Sequence, residues 1–130
     1  MNDADFLQQF ENHTLDNKHF NHQSHLRLAW LYLSVNDLNS AIELVCSGIK
    51  SYAESLGATT KFHLTMTDAT VRIMNQRMLI NKTDSWEIFL NENPDLVNDL
   101  LSVLHQHFSP DFLVTETART TLVKPDIKSL

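Results

Sequence analysis

Residues 20–33 read FNHQSHLRLAWLYL, and the spacing within them decides the fold class. Leu26, Ala29, Trp30 and Leu33 recur at i, i+3, i+4 and i+7, which predicts an amphipathic helix over 21–35. Ahead of that stripe stand His22 and His25, three residues apart and therefore on one helical face. Two imidazoles so placed can share a metal ion, or can end the stripe in hydrogen bonds to backbone and water, because an inward ring must find partners.

Outward from this stretch the helical pattern continues in both directions. Phe6, Leu7 and Phe10 lie on one face of a first helix over 3–14. Asn36 or Asp37 can cap a third helix running to Leu56, with Leu38, Ile42, Val45, Ile49, Tyr52 and Leu56 inward and Gly57 as a left-handed stop. Thr59 or Thr60 is the expected cap of a fourth, whose face begins at His63 and continues through Met66, Thr70, Ile73 and Met74. Trp86, Phe89 and Leu90 fit a short fifth helix.

Asn93 and Pro94 restart the chain as cap and first helical residue, ahead of a stripe of Leu96, Leu100, Leu104 and Phe108. SPD at 109–111 repeats the device. The last stretch, 117–130, should make a turn or two of helix and then an extended tail, since the residue before Pro125 is driven out of helical geometry. No segment alternates as a half-buried strand does, and no Asn-Gly or Asp-Gly hairpin signal is present. The expectation is an all-α chain: one domain over 1–130, an irregular bundle of five to seven helices. Residues 26–56 are similar to one helix pair of a tetratricopeptide array, but no second copy follows at a spacing of 34.

At 130 residues, 42% of them hydrophobic and including seven Phe and two Trp, the chain can bury a core. Ten Lys and Arg stand against sixteen Asp and Glu, a net charge of −6, with no basic run. Nucleic acid is therefore not an expected partner, because phosphate binding needs clustered positive charge to release counterions. The lack of a basic amphipathic face argues equally against a membrane surface. The opening MNDADFLQQF has neither the charged nor the apolar region of a signal peptide, so the expected location is cytoplasmic. Cys46 is the one cysteine and sits among apolar residues, as a packing thiol does.

Chemistry concentrates on the histidines. His63, in KFHLTMT, falls near the start of the fourth helix on its inward face. If helices two, three and four run up, down and up, the starts of two and four share a pole, and His22, His25 and His63 can converge there. Three histidines and a water are an open zinc site; a carboxylate added to such a set suits iron. Thr67 lies on the same face as His63, and Arg119 and Asp126 are candidates for the opening of such a pocket. Thr67 can equally bond back to the preceding turn, and Arg119 can pair with Glu116. His13, His19, His105 and His107 have no partner at ligand spacing on their own faces. Glycine-rich phosphate loops, nucleophile elbows and HExxH are absent.

These residues resemble those of a family of small, mostly bacterial helical proteins. Its pattern is HxxHL leading into an Ala and aromatic helix ending YL, a Gly-capped helix, a segment reading Tyr-His-Glu-Thr-Ile-Thr, and an Ala-Arg pair followed by an aromatic and then Pro-Asp. Here His22, His25, Leu26, Ala29, Tyr32 and Leu33 match, then Ile49, Gly57, Lys61, His63, Thr65 and Thr67, and finally Ala118, Arg119, Pro125 and Asp126. The resemblance spans most of the chain and implies a shared pocket, with no reaction attached to it. Phe62 replaces the tyrosine and Leu64 the glutamate, so an acid or base supplied by that glutamate is missing here.

Two readings follow. In one, His22, His25 and His63 hold zinc or iron in a pocket for a small molecule, as in a metal-dependent hydrolytic or oxidative enzyme. In the other, the histidines form a structural cluster in a non-enzymatic binding or adaptor domain. A homodimer is compatible with either, given the number of apolar helix faces.

Overall fold

The computed structural model describes all residues, 1–130, and is all-α. It has nine α-helices, five of them of seven residues or more, and no strand. The chain divides into two compact units, Met1–Phe62 and His63–Leu130.

In the first unit, α1 (Asp3–Glu11), α2 (His22–Val35) and α3 (Leu38–Ser55) each start on a side-chain cap. The Oδ1 atoms of Asn2, Asn21 and Asp37 accept from the backbone N–H of Asp5, Ser24 and Ser40 at 2.8, 3.0 and 2.8 Å. The expected stop at Gly57 is present: its φ is +70°, and the N–H groups of Gly57 and Ala58 bond the carbonyls of Glu54 and Ala53. The end of α1 is built the same way without glycine. His13 has φ +60°, its N–H bonds the Phe10 carbonyl, and the Thr14 N–H reaches the Gln9 carbonyl at 2.9 Å. This reversal ends α1 at Glu11, three residues before the expected Thr14.

The core of this unit is aromatic. Phe10, Phe20 and Tyr52 bring their ring centroids within 5.6 Å of one another, and the Tyr52 hydroxyl donates to the Leu15 carbonyl at 2.7 Å. Phe10 lies so close to α3 that a Cβ on Gly48 would sit 2.8 Å from its Cε2. Gly48→Ala should therefore destabilise by about 1–3 kcal/mol despite alanine's better helix propensity, because a buried ring has to move. Urea unfolding of the variant would check this; equal or greater stability would mean that Phe10 yields freely.

In the second unit, α4 (Leu64–Ile80) is followed by α5 (Trp86–Glu92), α6 (Pro94–Asn98), α7 (Leu100–Leu104), α8 (Pro110–Leu113) and α9 (Glu116–Thr120). Two expectations are corrected here. Thr59 and Thr60 do not cap α4; Thr59–Lys61 is a separate 3-10 turn, Phe62 is extended, and His63 is the cap. The single stripe from Leu96 to Phe108 is broken at Asp99, whose φ of −152° and ψ of 39° end α6 and start α7. That break adds one helix to the count, and His105 and His107 lie beyond α7 instead of within one long helix.

Asn93 is buried and satisfied: its Nδ2 donates to the Phe89 carbonyl, and its Oδ1 accepts from Arg77, which also forks onto Asp95 at 2.9 and 3.0 Å. Beyond α9 the chain runs without helix, as expected, and is tied down at three places. Buried Thr65 donates to the Thr121 carbonyl at 3.0 Å and accepts from the Val123 N–H at 3.3 Å. Asp126 accepts from the N–H and hydroxyl of Ser109. His107 donates from Nδ1 to the Lys128 carbonyl. No helix is long and apolar enough to cross a membrane.

Candidate functional site

His22 and His25 lie in the first turn of α2, just after the Asn21 cap. The His25 ring is packed edge-on against Phe20, with centroids 4.3 Å apart. Burial, with the neighbouring His22 adding to it, pushes the His25 imidazole down to about 4. His25 is thus an inward ring, as its place on the stripe requires, whereas His22, expected inward on the same face, is exposed one turn nearer the helix start.

His63 belongs to the second unit, and hydrogen bonds determine its tautomer. Its Nδ1 accepts from the Met66 N–H at 3.1 Å, so Nε2 carries the proton and donates to the Leu113 carbonyl at 2.8 Å. One nitrogen caps α4, and the other ties it to the end of α8. The ring as placed has no lone pair left for a metal ion. Nor do any three His, Cys, Asp or Glu side chains form a group that could hold one.

The other sequence candidates are also engaged locally. Thr67 donates from Oγ1 to the His63 carbonyl at 2.7 Å, the backward bond of a helical threonine. Arg119 forks onto Glu116 one turn earlier and holds that carboxyl below the usual range. Asp126 is held low by the Ser109 hydroxyl first and its N–H second. Each of these groups has a capping, pairing or strapping role in its own unit. Cys46 is buried, as expected of a packing thiol.

The first unit contains a groove of about 250 Å³ that none of these residues lines. One wall is the end of α1 and the reversal after it: Phe10, Glu11 and His13. The other is a face of α3 in which Leu44, Ser47, Gly48 and Ser51 follow one another at helical spacing, and Tyr32 closes it from α2. The Tyr32 hydroxyl donates to Glu11 Oε1 at 3.1 Å. Burial, then the Glu11 hydrogen bond and charge, push that phenol well above its ordinary value. It therefore stays a hydroxyl donor at any physiological pH.

His13 gives the rim a strained element. Left-handed backbone costs an L-residue on the order of 1 kcal/mol, less for histidine's neighbours Asn and Asp than for branched residues, and glycine would avoid it. Its ring meets Tyr52 edge-on at 6.5 Å, so the reversal aims an imidazole along the core aromatics where a glycine would place nothing. The sequence held one overlooked signal of this site. Gly48 inside an otherwise strong helix marks a close approach of another element.

Comparison with known proteins finds no family model, curated relative or solved structure that matches the chain.

Proposed function

We propose that this protein is a non-enzymatic binding domain of the cytoplasm that takes a small ligand in the groove between α1 and α3, and whose histidines at 25 and 63 serve packing and capping. The observation that carries this reading is the groove itself, with strained His13 and the Glu11–Tyr32 pair on its walls. Strain retained where glycine would relieve it is more common at ligand sites than elsewhere. The saturation of His63 on both nitrogens supports a structural role for that ring.

Two measurements test the reading. In a fragment screen followed by backbone amide shifts, ligand-induced changes should cluster at residues 11–14 and 44–51. Protein purified without a nickel column should hold no stoichiometric zinc, iron or manganese and gain no thermal stability from them. His63→Ala should cost about 1–2 kcal/mol through loss of the cap, and His63→Asn, which keeps a cap acceptor, distinctly less. A stoichiometric metal that disappears in both His63 variants would overturn the proposal in favour of a metal centre.

A further inference from the structure

We infer that the groove recognises an alkylammonium group, with Glu11 as its counter-ion. The inference rests on the groove being the binding site and adds the chemistry of what it takes. Glu11 occupies the last residue of α1, where the helix dipole presents partial negative charge, and no basic residue stands in that last turn to offset it. A carboxylate at this end of a helix is electrostatically unfavourable unless a donor or cation meets it. Tyr32 supplies one hydroxyl donor, to Oε1.

The rest of the wall suits a cation better than an anion. Phe10 and Tyr32 line the groove without bringing a charge to it, and the Tyr32 hydroxyl is already committed to Glu11. Ser47 and Ser51 place hydroxyl oxygens one turn apart along α3. The Ser47 hydroxyl already donates its hydrogen to the Glu43 carbonyl at 2.7 Å, so its oxygen remains as an acceptor. An alkylammonium has three donors and no acceptor, which complements a carboxylate and an acceptor hydroxyl. The chain's net charge of −6 adds long-range attraction for such a ligand.

The cation could arrive as a free alkylamine or as the lysine side chain of a peptide, and both present the same group. The test is an amide-shift titration of the whole chain with n-butylammonium, n-butanol and butyrate, and with a short peptide carrying one lysine or its acetylated form. Butylammonium should move the amides of residues 11–14 and 44–51 with a Kd on the order of 1 mM, weakening as salt is added. Butanol and butyrate should not. Glu11→Gln keeps an oxygen to accept from Tyr32 but loses the charge, and should weaken butylammonium about tenfold. Tighter binding of the lysine peptide than of butylammonium, lost on acetylation, identifies a partner's lysine as the source; the reverse order identifies a free amine. Groove shifts with butanol or butyrate but not butylammonium, or an unchanged Kd in Glu11→Gln, would sink the ammonium assignment while leaving the groove as a binding site. If no ligand moves those amides, the assignment and the binding site fall together.

Discussion

Phe10→Ala should lower the stability of the protein by about 3–5 kcal/mol, the upper range for a buried aromatic cut back to a methyl. The ring is 1% exposed and contacts Phe20 and Tyr52, with centroids at 5.2 and 5.6 Å. How much such a truncation costs depends on whether the site can collapse. On the α3 side it meets Gly48, which has no side chain to move into the space, so the cavity should persist. The loss would appear as a lower urea midpoint with an unchanged slope. A cost below about 1 kcal/mol would mean that the aromatic cluster does not hold α1 to α3. The same variant should lose ligand at the groove, since Phe10 is part of its lining.

Acidification should destabilise the protein through His25. Its folded value of about 4 lies below the ordinary 6.5, so the unfolded chain takes up the proton first. The contribution of the neutral ring is complete above pH 6.5 and is lost as the pH falls toward 4. Each pH unit in that window costs about 1.4 kcal/mol, on the order of 3 kcal/mol in all. Every other side chain is common to the two proteins, so the difference between wild type and His25→Gln isolates this ring. Asp37, Asp95, Glu116 and Asp126 are all held below their ordinary values by hydrogen bonds, so their own losses come at lower pH. Parallel stability curves for the two proteins between pH 7 and 5 would show that His25 is solvated in the folded state.

His25 also illustrates what a local pattern can reveal. Its inward placement follows from the stripe of Leu26, Ala29 and Trp30, because position along a helix sets direction within one turn. The same reasoning found Asp37 among the two candidate caps of α3, the Gly57 stop, Pro94 and Pro110 at helix starts, the backward bond of Thr67 and the Arg119–Glu116 pair. All of these join residues no more than five apart. Their partners are brought together by the helix itself, whatever the rest of the chain does.

Where the reading from sequence departed from the structure, a distant residue or a change of backbone was involved. His63 was placed in a first helical turn with its ring available. In the structure it stands outside that turn, and a carbonyl fifty residues on takes its second nitrogen. Asp99 looks like any polar residue on the far side of the Leu96 to Phe108 stripe, yet its backbone splits that stripe into α6 and α7.

The sequence by itself determined that this protein is helical, where α2 and α3 run and where proline starts α6 and α8, because period and capping act over one or two turns. Only the tertiary structure decided which polar groups are already satisfied and where a groove stays open. Those outcomes depend on which carbonyl or ring another helix delivers: Leu113 to His63, Tyr32 to Glu11, and Phe10 to the bare backbone of Gly48.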